Sequence, residues 1–151
     1  MKIVFASSSG GHYEQLMMLR PLMDKYESVL VTEKTDYSSQ VAGVKTYYLK
    51  QINRKEKTFL PYLFVNSFRS LKIFFKEKPD VMITTGVLAI IPLALIMKLF
   101  RKKLVYIESF AKVHSKNLTG NLLYKFADRF YVQWEEMLEL YPKAIFKGGI
   151  Y

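Results

Sequence analysis

The 151-residue sequence contains no cysteine, which excludes disulfides and thiolate metal sites. Histidine is nearly absent as well. His12 and His114 are the only two, too few for a histidine-rich metal site. His12 and Glu14 match the H-x-E half of a zinc-deaminase signature, but the other half needs cysteines. No apolar run reaches the roughly 20 residues that cross a bilayer; Val87 to Phe100 has 14 residues and includes Pro92 and Lys98. Lys2 is followed by only four apolar residues before three serines, so no signal peptide and a cytoplasmic location are expected. The glycosylation triplet Asn117-Leu118-Thr119 is discounted on the same ground. Acidic side chains are scarce, 13 against 23 Lys and Arg, for a formal charge of +10. The imbalance is local: residues 45–125 hold 16 Lys and Arg against 4 acids, and the remainder is slightly acidic. A basic middle suits an anionic partner such as nucleic acid, anionic lipid or a phosphorylated substrate. A solvated basic face is the other reading.

What the chain does have is a core. Half its residues are apolar and 15% aromatic, which argues against disorder, and the length suits one domain, residues 1–151. Its organising stretch is Ser7-Ser8-Ser9-Gly10-Gly11-His12. Before it, Ile3-Val4-Phe5-Ala6 reads as a strand covered on both faces. After it, Leu16, Leu19, Leu22, Met23 and Tyr26 recur at helical spacing. Gly10 and Gly11 let the backbone turn sharply and approach a ligand, since neither carries a Cβ. The N–H groups of the following helical turn favour an anion. A tight turn capped by serines, with no ligand, remains the alternative. The stretch is neither G-x-G-x-x-G nor a P-loop.

Further along, Pro21 falls inside the first helical pattern and predicts a kink near Met17. Strands are expected at Ser28–Thr32, Val44–Leu49, Val81–Thr84, Leu104–Ile107, Arg129–Val132 and Ala144–Phe146. Asp36 to Gln40 reads as polar connection and Lys50 to Lys57 as a basic loop. Thr58 to Lys76 is a long helix rich in Phe and Leu, with Pro61 in its first turn, where proline is tolerated. Its bulky side chains predict packing on the sheet; a basic amphipathic helix lying on an anionic membrane is the second option. Val87–Phe100 reads as a buried or shallowly inserted helix, with Arg101-Lys102-Lys103 at headgroup level if it inserts. Leu118–Ala127 and Gln133–Leu140 are shorter helices, the latter stopped by Pro142. Alternating strands and helices predict an open, parallel, Rossmann-like α/β sheet.

Ligands of such sheets bind beyond the carboxyl ends of the strands. Three polar turns fall there: Ser7 to His12, Thr84-Thr85-Gly86, and Glu108-Ser109. His12 is a candidate base, phosphate donor or cap. The helix dipole disfavours its cation, and hence favours the base-competent neutral form. Glu108 is the second candidate base; it could equally hold sugar hydroxyls or a backbone N–H. A nucleic-acid module would want exposed cations interleaved with stacking aromatics, whereas many aromatics here follow core-like spacing.

Five motifs recur in order: Ser9-Gly10-Gly11-His12 with Glu14; Thr84-Thr85-Gly86 with Pro92; Tyr106-Ile107-Glu108-Ser109; Leu118-Thr119-Gly120; and Val132-Gln133-Trp134 through Tyr141-Pro142-Lys143. Taken together, essentially over the whole chain, they resemble the acceptor-side subunit of the split N-acetylglucosaminyltransferase of asparagine-linked glycosylation. The bacterial relatives of that subunit in capsule and exopolysaccharide clusters look closer still. The Gly-Gly-His turn is also similar to that of the single-chain peptidoglycan N-acetylglucosaminyltransferase. The resemblance implies the N-terminal half of a GT-B glycosyltransferase, inactive alone, whose partner subunit holds the nucleotide-sugar. It implies an undecaprenyl-diphosphate-linked sugar acceptor, the cytoplasmic membrane face, no metal or other cofactor, and no nucleic acid. His12 and Glu108 become the catalytic candidates, and Ser9, Gly10, Gly11, Glu14, Thr85, Gly86 and Ser109 the acceptor-binding ones. The family's eukaryotic members begin with a spanning helix and this sequence begins with a strand, so membrane contact is expected from internal helices. The carboxyl-terminal stretch from Trp134 to Tyr151, where a single-chain enzyme would cross into its second half, is expected to meet the partner.

Overall fold

Short apolar runs that alternate with helical segments cannot pair as hairpins, because each helix carries the chain back to the starting edge of the sheet. The computed structural model, which describes residues 1–35 and 41–151, shows the consequence. Strands β1 (Lys2–Ala6), β2 (Glu27–Glu33), β3 (Lys45–Leu49), β4 (Val81–Thr84), β5 (Lys103–Ile107), β6 (Arg129–Val132) and β7 (Ile145–Phe146) form one sheet in the order β3-β2-β1-β4-β5-β6-β7. Every pairing is parallel, with Val4 set between Val29 and Met82 and Ala6 between Val31 and Thr84. All the strand positions expected from the sequence form, within a residue or two. The stretch 36–40, expected as polar connection, lies outside the described residues.

Alternate side chains feed two cores. Val4, Ala6, Val29, Val31, Met82, Leu104, Phe130 and Val132 face α3 (Phe59–Glu77), α4 (Ile91–Leu99) and α5 (Leu118–Leu123). Ile3, Phe5, Leu30, Ile83 and Ile107 face α1 (Gly11–Met17) and α2 (Arg20–Lys25). Each fully buried side chain of this size contributes about 1.5–3 kcal/mol. The second face is the less covered one: Leu19, Leu22, Ile83, Val105, Ile107 and Tyr131 line an apolar groove of about 420 Å3, closed on one side by the Lys147–Ile150 tail.

Four expected helices differ in extent; the one expected over Leu118–Ala127 ends early, with α5 at Leu123. The first is broken rather than kinked: α1 ends at Met17, and Pro21 sits in the first turn of α2, where its missing N–H has no intrahelical partner to lose. Val87–Phe100 splits likewise into a 3-10 turn over Leu88–Ile90 and α4, with Pro92 in the opening turn of α4. Gln133–Leu140 shortens to α6 (Met137–Leu140), because Gln133 turns inward to buried partners.

The long helix α3 reverses the expectation for its bulky side chains. Its buried face is Asn66, Ser70, Ile73, Phe74 and Glu77, while Leu60, Phe64, Phe68, Leu71 and Phe75 are exposed, Phe64 by 76%. Asn66 earns its interior place by clamping Lys50, accepting from its N–H and donating to its carbonyl, both at 2.8 Å. Glu77 takes Lys45 at 2.6 Å, Lys2 at 3.2 Å and the Tyr47 hydroxyl.

Candidate functional site

The sheet reverses its strand order between β1 and β4, and a crevice of about 480 Å3 opens beyond the carboxyl ends of the strands there. The serine–glycine turn forms one wall. The Ser7 N–H donates to Val31 O at 3.1 Å, which prolongs the β1–β2 ladder by a residue. Gly10 then caps α1 at φ 76°, ψ −147°, a conformation that suits glycine. A Cβ on Gly10 or Gly11 would meet nothing within 4 Å, so the space in front of the turn is open to a ligand.

His12 is tied to the second turn by two bonds. Its Nδ1 lies 2.8 Å from Thr85 O, and Thr85 Oγ1 donates to His12 O at 2.7 Å. A carbonyl can only accept, so Nδ1 carries the proton and the lone pair of the neutral ring is on Nε2. Burial pushes the imidazole below its ordinary pKa, and the Thr85 carbonyl offsets this only in part. Thr85 is fully buried and therefore positions His12 from beneath. After it the backbone takes φ 107° at Gly86, and a Cβ there would lie 3.0 Å from the Tyr106 hydroxyl. Val87 continues at φ 110°, unusual for a β-branched residue and found at the crevice itself.

Glu108 is fully buried beside the crevice and does not line it. The Ser109 N–H donates to Oε1 at 2.8 Å, the Tyr106 hydroxyl at 3.4 Å and the Asn117 amide more closely still. The Tyr141 hydroxyl donates to Oε2 at 3.3 Å. Burial raises the Glu108 carboxyl pKa against the pull of these donors, and burial also holds both tyrosine hydroxyls protonated. Through this cluster Glu108 orients Tyr106 and Asn117, two residues that do line the crevice. Asn117, the glycosylation triplet's first residue, is also the cap of α5, accepting from Gly120 N at 2.5 Å. Gly120 is required by the carboxylate: a Cβ there would fall 2.2 Å from Glu108 Oε2.

Of the residues singled out in the sequence, Ser9, His12 and Ser109 line the crevice. Gly10 and Gly11 are exposed in the turn, Thr85, Gly86 and Glu108 lie behind the wall, and Glu14 points to solvent from α1. Sequence reasoning missed Glu33, Arg54 and Lys112, which complete the lining. Glu33 is 5% exposed at the end of β2 and accepts from the Ile52 N–H at 3.3 Å; burial raises its carboxyl pKa. A carboxylate two residues beyond the apolar run Val29-Leu30-Val31 was the available signal, since that position falls at the ligand end of a parallel sheet.

Charge is sorted along the strands. Among the described residues the ion pairs cluster at the amino end of the sheet, Lys2 and Lys45 with Glu77, Lys98 and Lys103 with Asp128, and Lys102 with Asp80. Arg20–Asp24 on α2 is apart from them. At the carboxyl end Arg54 and Lys112 enter no ion pair among the described residues. The crevice therefore sets a neutral imidazole and serine hydroxyls beside two cations, Arg54 and Lys112, and one carboxylate, Glu33, an arrangement suited to a ligand that carries negative charge and must lose a proton.

Comparison with known proteins agrees with this architecture. The chain aligns with the UDP-N-acetylglucosamine transferase subunit ALG14 of Yarrowia lipolytica at 30% identity over 176 residues, 97% of this chain and 80% of that protein. The Schizosaccharomyces pombe subunit of the same name is 31% identical over 97% of the chain and 81% of its own length, and that of Rattus norvegicus 27% over 98% and 82%. Among solved structures, Acinetobacter baumannii MurG superposes with a TM-score of 0.72 at 13% identity, over 90% of this chain and 43% of MurG. A UDP-N-acetylglucosamine 2-epimerase from Rickettsia bellii gives 0.73 at 14%, over 99% and 45%. At such identities these two share the fold, and the chain spans less than half of either. The family model described as "Oligosaccharide biosynthesis protein Alg14 like" matches residues 2–150, and the chain belongs to that family.

Proposed function

We propose that this chain is the acceptor-binding subunit of a two-protein glycosyltransferase, which adds a sugar from a nucleotide-sugar to a lipid-diphosphate-linked sugar at the cytoplasmic face of the membrane. Capsular or exopolysaccharide biosynthesis is the process it would serve. The observation that carries the reading is the His12–Thr85 clamp: it leaves Nε2 of a neutral imidazole as a base in a crevice that also holds Arg54 and Lys112. In the proposed step His12 Nε2 takes the proton of the acceptor hydroxyl. The acceptor oxygen bonds to the sugar's anomeric carbon from the face opposite the nucleotide. The anomeric C–O bond to the nucleotide diphosphate breaks, and its electron pair leaves with the diphosphate. Ser9, Ser109 and the Gly10-Gly11 backbone hold the acceptor, while Glu108 acts through Tyr106 and Asn117 as a positioning residue.

The nucleotide-sugar belongs to the partner subunit, because a GT-B cleft needs two facing α/β domains and this chain supplies one of them. The partner docks over the crevice and the Trp134–Tyr151 region, where the apolar groove of the second sheet face lies. Membrane contact comes from α3, whose exposed apolar stripe is flanked by Arg69, Lys72 and Lys76. No helix among the described residues is long and apolar enough to cross a membrane.

Purified chain, UDP-N-acetylglucosamine and a prenyl-diphosphate-linked sugar should give no transfer until the partner is added. His12→Ala in the complex should then lower kcat by about 100-fold or more. Robust transfer by the isolated chain would refute the two-subunit reading, and wild-type turnover by the alanine variant would refute the crevice.

A further inference from the structure

Next to the crevice lies a second cavity of about 510 Å3, and Gln51 lines both. Its walls carry Lys34, Lys50 and Arg69, with Asn53 and Tyr62 between them. None of the three cations enters an ion pair among the described residues. The one carboxylate in the wall among the described residues, Glu56, accepts from Asn53 Nδ2 at 3.0 Å and Thr58 Oγ1 at 3.2 Å. Two of the cations are held rather than loose, while Lys34 is exposed. Buried Asn66 grips the Lys50 backbone on both sides, and Lys50 Nζ lies 4.5 Å from the centre of the Tyr62 ring. Arg69 spends one nitrogen, Nη1, on Tyr48 O at 3.2 Å and keeps its other donors. A cavity in which two prepositioned cations and an exposed third outnumber one carboxylate is a site for a multiply charged oxyanion.

Its place on α3 says what that oxyanion is attached to. At about 100° per residue, Leu60, Phe64, Phe68, Leu71 and Phe75 share one outward face. Tyr62, Arg69, Lys72 and Lys76 fall on the flank between that stripe and β3. Lys72 and Lys76 continue the basic flank beside Tyr47 and Tyr48, lining a further hollow with Arg69. The cavity therefore connects a crevice suited to a sugar hydroxyl on one side with an exposed apolar surface on the other. We propose that it holds the diphosphate of the lipid-linked acceptor, with the sugar reaching past Gln51 to His12 and the prenyl chain leaving along the α3 stripe. This inference rests on the acceptor reading above, and it leaves the Gly10-Gly11 turn to the sugar.

Isothermal titration of the full chain with farnesyl diphosphate, a soluble prenyl diphosphate, tests it. Lys50→Gln and Arg69→Gln should each weaken binding about tenfold, whereas Lys57→Gln, on the same loop but outside the cavity, should not. Thermal melts must show each variant folded. Inorganic pyrophosphate should bind more weakly with the same dependence on Lys50 and Arg69. Vesicles of phosphatidylcholine and phosphatidylglycerol should be nearly insensitive to either single change, since that attraction is spread over many cations. If farnesyl diphosphate binds both variants like wild type but loses affinity for Gly11→Val, the diphosphate sits at the first turn. The inference then fails and the acceptor reading survives. If the variants lose only the phosphatidylglycerol vesicles, the cavity is a headgroup site and the inference fails again. If the wild-type chain binds no prenyl diphosphate, both fall together.

Discussion

His12 shows a hydrogen bond setting a tautomer while burial sets the protonation state. Nδ1 is committed to the Thr85 carbonyl, and burial, against the pull of that carbonyl, keeps the ring neutral below the ordinary histidine range. A base works while neutral, so kcat/KM of the assembled enzyme should stay level as pH falls through about 6.5. It should drop only at a more acid value. A profile that breaks at or above 6.5 would remove His12 as the base. Glu108 and Gly120 make a second residue-scale pair. Helical Gly→Ala substitutions usually stabilise, by about 1 kcal/mol. At Gly120 the new methyl would meet a buried carboxylate gripped by four donors. Gly120→Ala should instead cost about 2 kcal/mol or more, read as a lowered Tm. An unchanged or higher Tm would mean that the cluster around Glu108 is looser than its geometry.

Among the elements, α3 is the one whose pattern misleads. Eleven bulky apolar side chains in its span read as a buried helix, yet its inner face is largely polar and its outer face aromatic. The inner polar groups are tolerated because each of the main ones is answered: Asn66 by the Lys50 backbone, Glu77 by Lys45, Lys2 and Tyr47. Burial alone would raise the Glu77 pKa, but Lys45, Tyr47 and Lys2 together outweigh it and hold the carboxyl at about 2. A depressed carboxyl pKa stabilises the fold above the unfolded value of 4.5 and loses that contribution as pH falls towards 2. Glu77→Gln should therefore destabilise the chain at pH 7, by about 1–2 kcal/mol once the solvent exposure of Lys45 is allowed for. The gap from wild type should close in acid. Denaturant midpoints at pH 7 and pH 3 read both, and a gap that stays constant would show that the ion-pair cluster is not its origin.

Across the whole molecule, charge and apolar surface are segregated along different axes. Among the described residues, paired charges collect at the amino end of the sheet, unpaired cations at the carboxyl end, and exposed aromatics along the flank formed by α3. The basic run Arg101-Lys102-Lys103, expected at a membrane, is in part neutralised: Lys102 pairs with Asp80 and Lys103 with Asp128. The α3 flank is the stronger lipid-facing candidate. Vesicles containing phosphatidylglycerol should bind the chain, and Lys72→Ser with Lys76→Ser should weaken that binding roughly 30-fold, at about 1 kcal/mol for each cation near the surface. High salt should weaken it too. Phe64→Ser with Phe68→Ser should lower binding even to neutral vesicles. Equal binding by all of these variants would exclude α3 as the contact.

The sequence by itself determined the open parallel sheet, because seven short apolar runs separated by helical periods admit few other arrangements. It also determined that the polar turns after β1, β4 and β5 share the ligand end, since parallel strands all point the same way. Tertiary structure alone decided which members of those turns face the crevice and which support it from behind. Ser9, His12 and Ser109 face inward to it, and Thr85 and Glu108 do not, because these depend on side-chain direction at a strand end rather than on composition. Glu33, Arg54 and Lys112 joined the site from three separate segments that no local pattern links. The outward aromatic face of α3 was equally hidden. A 3.6-residue period shows that a helix has two faces, but which one meets the sheet is settled by the partners waiting there, and at Lys45 and Lys50 those partners are polar.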